Sequence, residues 1–229
     1  MQKILAGKKH KISFMKQYNR YPLEKTKFKT ENYRPGDHFR IPLRWDNFTL
    51  NVPIWQQVIP QFFGSGYVPT FKVLELGSGN GLCSNYLLDK FNCTIDTVDI
   101  NDQHIIEEDD EKYLVSTSLN LRPFIDSNRC TFHNMTTREF MHTNLNNRYD
   151  FIYVDASHDP DWVLYDAVNA FELLKDDGLM IFDDYGMKGC AQGVNAFLSC
   201  YKPHVEVFYK DWQLMLRKIS SLKAENDKD

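Results

Sequence analysis

Three groups of residues in this chain have the types and spacing to do chemistry. Lys72-Val-Leu-Glu-Leu-Gly-Ser-Gly-Asn-Gly-Leu82 places Gly77, Gly79 and Gly81 at every second position after an apolar run. Glycines let a backbone come close to a ligand, and the helix that follows presents N–H groups at its N-terminus. That is a cradle for a nucleotide-like ligand, or else a glycine turn that binds nothing. Asp99 lies 22 positions beyond Gly77. A carboxylate there can accept both hydroxyls of a ribose; otherwise it is a surface-loop residue. Finally, Asp155, with His158 three positions on, and the pair Asp183-Asp184 each follow an apolar run. Hard oxygen ligands suit Mg²⁺, Mn²⁺ or Ca²⁺. The plainer alternative is that one aspartate caps a helix and the others face water.

These residues need a scaffold that brings distant segments to one edge. Phe71–Leu76, Thr94–Asp99, Arg129–His133, Tyr149–Val154 and Leu179–Phe182 read as buried strands. Helices are expected between them: one from Leu82, with Tyr86, Leu87 and Phe91 in helical phase, one over Trp162–Lys175 ended by Asp176-Asp177-Gly178, and one over Cys190–Tyr201. Asn51 is expected to cap a helix with Pro53 in its first turn, followed by Ile54, Trp55, Val58, Ile59 and Phe62 on one face. The acidic run Glu107–Glu111 reads as the solvated start of a helix, and His133 and His142 as structural residues. Parallel strands alternating with helices predict an α/β, doubly wound sheet, whose ligands sit outside the carboxyl ends of the strands. Neighbouring strands lie about 4.8 Å apart, so Asp155, Asp183 and Asp184 can meet at one rim beside the glycine loop. Val205–Tyr209 and Trp212–Leu216, joined at Lys210-Asp211, predict a terminal hairpin.

The spacing also separates ligand classes. A dinucleotide fingerprint wants a small residue five positions after its first glycine, and here that residue is Leu82. Glu75-x-Gly77-x-Gly79-x-Gly81 resembles instead the first motif of class I S-adenosylmethionine-dependent methyltransferases. The resemblance covers roughly residues 50–217 and implies a Rossmann-like sheet of about seven strands with an antiparallel strand in the C-terminal hairpin. It implies S-adenosylmethionine as cofactor, held by Glu75, Gly77, Ser78, Gly79, Gly81, Asp99, Ile100, Thr136 and Asp155. The family often has an acidic residue for the adenine amino group after the third strand; this chain offers Asn134, Thr136 or Thr137. Over residues 149–197, Asp183-Asp-Tyr-Gly-Met-Lys-Gly-Cys-Ala-Gln-Gly-Val-Asn-Ala-Phe197 is similar to the corresponding segment of macrocin-type sugar O-methyltransferases. There the resemblance implies a divalent cation, Mg²⁺ or Mn²⁺, on Asp155, Asp183 and Asp184. Catechol-type enzymes are similar more distantly.

Length and composition bound the rest. The 229 residues suffice for one large domain with a sizeable core. No apolar run approaches the roughly 18 residues of a membrane span, and residues 1–29 are too charged for a secretory signal. Five cysteines without a C-x-x-C pair read as reduced residues of a cytoplasmic-type compartment. Residues 1–29 carry nine Lys/Arg against one Glu, which leaves 18 against 30, or −12, for the remainder. Such an arm can grip nucleic acid or an anionic substrate, or be a solvated terminus. The expected organisation is a basic, aromatic-rich arm over 1–48, serving as lid, extra core or homodimer contact, a methyltransferase domain over 49–217, and a polar tail over 218–229.

The expected reaction is methyl transfer to a hydroxyl of a small substrate, a sugar or glycoside, with Asp155 or His158 taking the proton. Two other readings stand beside it. A nucleic-acid methyltransferase would use the basic arm, but the amino-methylating kind carries an Asn/Asp-Pro-Pro-aromatic motif where this chain has Asp155-Ala-Ser-His158. A non-catalytic binding module would have no physical need for the intact glycine motif and Asp99.

Overall fold

The computed structural model describes residues 33–39, 48–64, 70–100, 102–108 and 111–220. In chain order these form α1 (Val52–Phe63), β1 (Phe71–Leu76), α2 (Leu82–Lys90), β2 (Cys93–Asp99), β3 (His104–Glu108) and β4 (Glu111–Val115). Next come α3 (Thr117–Asn120), α4 (Arg122–Asp126), β5 (Cys130–Asn134), α5 (Thr137–Thr143), β6 (Tyr149–Val154) and α6 (Pro160–Leu173). The chain closes with β7 (Leu174–Phe182), α7 (Lys188–Tyr201), β8 (Val205–Lys210) and β9 (Leu214–Lys218).

Seven strands make one sheet in the order β5-β2-β1-β6-β7-β9-β8. Strand β9 runs antiparallel to both neighbours, while the pairs from β5 to β7 are parallel. This is a Rossmann-like sheet with the expected terminal hairpin. Side chains alternate between its faces with the strand period of two. Val73, Phe151, Tyr153, Leu179 and Ile181 pack with Trp55, Ile59, Tyr86 and Leu87 of α1 and α2. Leu74, Leu76, Ile152, Val154, Met180 and Phe182 pack with Phe140, Phe171, Val194 and Phe197 of α5, α6 and α7. Trp55 anchors the first layer, fully buried and edge-on to Phe48 at 5.0 Å and Tyr153 at 4.9 Å.

The register decides where the chemistry falls. Leu76 pairs with Val98 and with Val154, and Val154 pairs with Phe182. The next residue on each strand is therefore Asp99, Gly77, Asp155 and Asp183, in one row across β2, β1, β6 and β7. Backbone bonds extend the ladder into that row: Gly77 N–H donates to Val98 O at 2.9 Å, Asp155 N–H to Leu76 O at 2.8 Å and Asp183 N–H to Val154 O at 3.0 Å.

Several expectations need correction. Glu107, Glu108 and Glu111 of the acidic run do not start a helix but lie in the antiparallel pair β3–β4, with His104 opposite Val115 and Glu108 opposite Glu111. Ile105, Ile106, Tyr113 and Val115 are strand formers. Helix α6 stops at Leu173, so Lys175–Asp177 opens β7 rather than closing the helix. Asn51 precedes α1, but its side chain makes no capping bond; Pro53 near the N-terminus is as expected.

Of the N-terminal arm only residues 33–39 and 48 onward are described. Tyr33 and Phe48 there are core residues, and Tyr33 donates its hydroxyl to Asp89 at 2.6 Å. The lid and dimer expectations for the arm 1–48 fall on residues 1–32 and 40–47, outside the described residues, as does 221–229 of the expected tail, whose first residue, Lys218, ends β9. Among the described residues no helix is long and apolar enough to cross a membrane.

Candidate active site

The glycine loop joins β1 to α2, and all three of its glycines have positive φ: 86° at Gly77, 51° at Gly79 and 80° at Gly81. A Cβ on Gly77 would collide with the Asp155 carbonyl, so glycine lets the β1 and β6 ends close together. At Gly79 a Cβ would meet nothing within 4 Å. The backbone there is open to an incoming ligand.

Asp99 governs that loop. Its Oδ2 accepts from Ser78 N–H at 2.9 Å and Gly79 N–H at 2.8 Å. A carboxylate expected to meet a ribose thus also holds the two peptide groups over which the ligand would lie. Glu75 sits beneath, buried, with Oε2 accepting from the hydroxyls of Ser84 and, at 2.6 Å, Thr97. Burial raises its affinity for a proton, while the bonds from Ser84 and Thr97 oppose that shift. Glu75 thus ties β1 to α2 and β2 beneath the loop.

A second brace lies in α3, which sequence reasoning did not single out. Thr117 donates its hydroxyl to Gly79 O at 2.6 Å, and Asn120 donates its amide to Asn80 O at 3.0 Å. Ser116 caps α3 through a bond from Leu119 N–H, and the Ser116-Thr-Ser-Leu-Asn120 composition was the available signal.

Two of the residues considered for the cofactor make contacts within the protein. Thr136 is the N-cap of α5: its hydroxyl accepts from Glu139 N–H at 3.2 Å and donates to the Glu139 carboxylate at 2.8 Å. With its amide turned so that the nitrogen faces the backbone, Asn134 donates to the Asp99 and Ile100 carbonyls at 3.2 and 3.3 Å. Ile100 is 60% exposed at the end of β2, where a flat apolar ligand surface could cover it.

At the other end of the row the acidic rim assembles. Ligand atoms of Asp155, His158 and Asp184 all lie within 4.8 Å of one another, with His158 Nε2 2.9 Å from Asp184 Oδ2. Asp183 is not one of that trio. It is buried, and its Oδ1 accepts from Gln213 at 2.7 Å. Asp184 has φ 50°, a left-handed turn that sends consecutive carboxylates different ways. Its Oδ1 accepts from the indole N–H of Trp212 at 2.9 Å, leaving Oδ2 toward His158. Sequence reasoning missed Trp212 and Gln213, which meet the aspartates only in the folded hairpin.

The charges do not balance by themselves. Withdrawal from water, then the nearby charges of Asp183, Asp184 and Glu75, push the Asp155 carboxyl well above the usual range. Burial raises Asp183 too, with the Gln213 bond working against it. A cation among these groups would relieve both. The donor set, two carboxylates and an imidazole partly open to solvent, fits a divalent ion.

Comparison with known proteins agrees with this layout. Residues 74–185 match a family model described as "Methyltransferase domain". No curated protein matches the sequence. Among solved structures, an O-methyltransferase from Bacillus cereus in complex with SAH superposes with TM-score 0.57 at 17% identity, covering 78% of this chain and 84% of that one. MycE methyltransferase from the mycinamycin biosynthetic pathway, in complex with Mg and SAH, gives 0.55 at 14% identity, covering 76% of this chain. The match spans only 51% of MycE's own length. MycE with Mg, SAH and mycinamycin VI gives 0.55 at 15% identity over 76% of this chain and 51% of that one. This chain therefore has the Rossmann-like methyltransferase fold, with residues 74–185 matching a methyltransferase domain.

Proposed function

We propose that this chain is an S-adenosylmethionine-dependent O-methyltransferase acting on a hydroxyl of a small substrate, a sugar or glycoside, with help from a divalent cation. The observation that carries the reading is the row Asp99, Gly77, Asp155 and Asp183 at the ends of four adjacent strands. One end of that row serves an adenosyl ligand and the other a cation. The MycE structures, which hold SAH and Mg together, support pairing the two on one such sheet.

Each residue then has a task. Gly79 admits the ligand, Asp99 meets the ribose, and Ile100 covers the base. S-adenosylmethionine brings a methyl group already activated by its sulfonium charge. What the protein adds is mainly position, since holding reactants in line lowers the barrier without further chemistry. A cation on Asp155 and Asp184 would lower the pKa of a hydroxyl presented to it. Asp155 and His158 face that point and are the groups able to accept the proton. Trp212, 47% exposed and bonded to Asp184, offers a flat apolar face to the ring that bears the hydroxyl.

Calorimetry tests the cofactor first. S-adenosylmethionine and S-adenosylhomocysteine should bind and NAD should not. Turnover with sugar, catechol and RNA acceptors, with and without EDTA, then tests the substrate class. Adenosyl binding with methylation of RNA alone would overturn the small-substrate reading.

A further inference from the structure

The pair β3–β4 takes no part in the site described above. It lies between β2 and α3, outside the seven-stranded sheet, and among the described residues no third strand joins it. Two strands alone are marginally stable in water, and each outer edge of such a pair leaves peptide groups open to another strand. We propose that residues 25–30 of the basic N-terminal arm dock on one of these edges as a third strand.

The pair itself defines what can cover it. Register sets Ile105 opposite Leu114, yet the two are 54% and 39% exposed. An apolar cross-strand pair left in water gains little of the burial that stabilises a sheet. Three positions further along, Glu108 stands opposite Glu111, and like charges in that relation destabilise the strands. Strand residues alternate between faces, so the apolar pair and the acidic pair belong to opposite faces. An occupant that satisfies both is extended, apolar at alternate positions and basic at those between.

Lys25-Thr-Lys-Phe-Lys-Thr30 has that pattern. Its lysines hold every second position, and Thr26, Phe28 and Thr30 hold those between. Threonine and phenylalanine are strand formers. Added to an edge, the segment sets Phe28 on the face of Ile105 and Leu114 and its lysines on the face of Glu108 and Glu111. The charges are complementary: β3 and β4 carry Glu107, Glu108 and Glu111 against Lys112 alone. The chain also starts from a suitable place. Tyr33 is bound to Asp89 and Asn85 of α2, a helix about 14 Å long that begins at the glycine loop. The residues between Tyr33 and Lys25 span up to about 27 Å when extended, enough to pass that end of α2.

The foot of the pair is tied to the glycine loop. Asp102 Oδ1 accepts from the Ser116 hydroxyl and from Ser118 N–H, both at 3.0 Å. Ser116 N–H donates in turn to Asn80 Oδ1 at 3.0 Å. Strands standing on that foot border the open backbone at Gly79 and the exposed Ile100. A docked arm therefore adds a basic strand beside the place proposed for the adenosyl ligand, and its docking does not depend on that ligand.

Zero-length cross-linking of the full chain tests the docking. A carbodiimide joins a lysine amine to a carboxylate only where the two touch. Applied to an equal mixture of unlabelled and nitrogen-15-labelled chain at low salt, it should link Lys25, Lys27 or Lys29 to Glu107, Glu108 or Glu111. Each linked pair should carry one label only. Hydrogen exchange gives a second readout. In the full chain bearing Lys25→Glu, Lys27→Glu and Lys29→Glu, the amides of β3 and β4 should exchange about fivefold faster or more, with those of β1 and β6 unchanged. Adding Glu108→Lys and Glu111→Lys should restore the slow exchange. Exchange that ignores the charge reversal, or a wild-type chain without these cross-links, overturns the proposal. Linked pairs that mix the labels overturn it in favour of a second copy as the occupant.

Discussion

Gln213 donates its side-chain amide to Oδ1 of Asp183 at 2.7 Å, inside the core. The same side chain accepts from Trp55 of α1, so one glutamine joins the first described α-helix, the terminal hairpin and the rim. Gln213→Leu strips the partner from a buried carboxyl and from an indole N–H. Unmet bonds of this kind cost about 2–3 kcal/mol, which in a chain of this size lowers Tm by roughly 5–10 °C. Thermal melting at pH 7 checks it; an unchanged Tm would show that the amide is not needed.

Gly77 and Gly79 should separate fold from binding. Gly77→Ala drives a methyl group into the Asp155 carbonyl at φ 86°, and a loss of at least about 2 kcal/mol is expected from the strained backbone and overlap. Gly79→Ala has open space and costs about 1 kcal/mol for its left-handed backbone. The added methyl stands where the adenosyl ligand must approach. The expected pattern is a near-normal melt with S-adenosylhomocysteine affinity reduced more than tenfold. Normal affinity in Gly79→Ala would mean that the ligand does not approach the loop there.

Asp99→Ala removes the acceptor for Ser78 and Gly79 N–H together with the proposed ribose contact. Bonds to a charged acceptor contribute about 1.5–3 kcal/mol, so calorimetry should find the adenosyl ligand bound roughly 10- to 150-fold more weakly. Asp99→Asn, which can still accept, should lose less. Equal affinities for wild type and Asp99→Ala in a folded protein would remove Asp99 from the site.

Asp96, away from the rim, gives a prediction about acid stability. Lys72 Nζ lies 2.9 Å from its Oδ2, Tyr149 donates its hydroxyl at 2.8 Å, and His133 Nε2 is 3.5 Å from Oδ1. Burial pushes the carboxyl up, but the bonds from His133, Lys72 and Tyr149 outweigh it and bring the pKa down to about 2. A depressed acid stabilises the fold fully above its unfolded value near 3.8, and that stability is lost as pH falls through about 2. Asp96→Asn should cost about 2 kcal/mol at pH 7. Urea unfolding at pH 7 and pH 3 should show the gap between variant and wild type narrowing in acid. A constant gap would refute the assignment.

Much of this site could be read from the chain because its main parts are local. A strand, three glycines and a helix follow one another without interruption, and Asp99, Asp155 and Asp183 each stand at the end of an apolar run. Parallel pairing then does the rest, since equal register places strand ends in one row. What could not be read depends on contacts made across the fold. Trp212 and Gln213 reach Asp184 and Asp183 over 28 and 30 residues of sequence, and no periodicity encodes which neighbour an aspartate finds. The β3–β4 hairpin was hidden because its acidic run resembles the start of a helix. The capping role of Thr136 was legible as well, since Thr-x-x-Glu139 is a capping pattern.

The rim yields the last prediction. If a divalent ion sits at Asp155 and Asp184, EDTA should abolish methyl transfer to any accepted substrate, and Mn²⁺ should restore it. Adenosyl affinity should change less than twofold, because Gly79 lies in the loop after β1 and Asp99 at the end of β2, while the ion belongs to the loops after β6 and β7. Asp155→Asn should act as EDTA does on rate. It should also raise rather than lower thermal stability in the absence of metal, since it removes one of the crowded charges around Asp183, Asp184 and Glu75. A reaction driven by a base alone makes the opposite forecast: full turnover in EDTA, with His158→Ala removing most of it. Turnover measured in EDTA and again after added Mn²⁺ separates the two, and full activity under chelation would end the cation's role in the reaction.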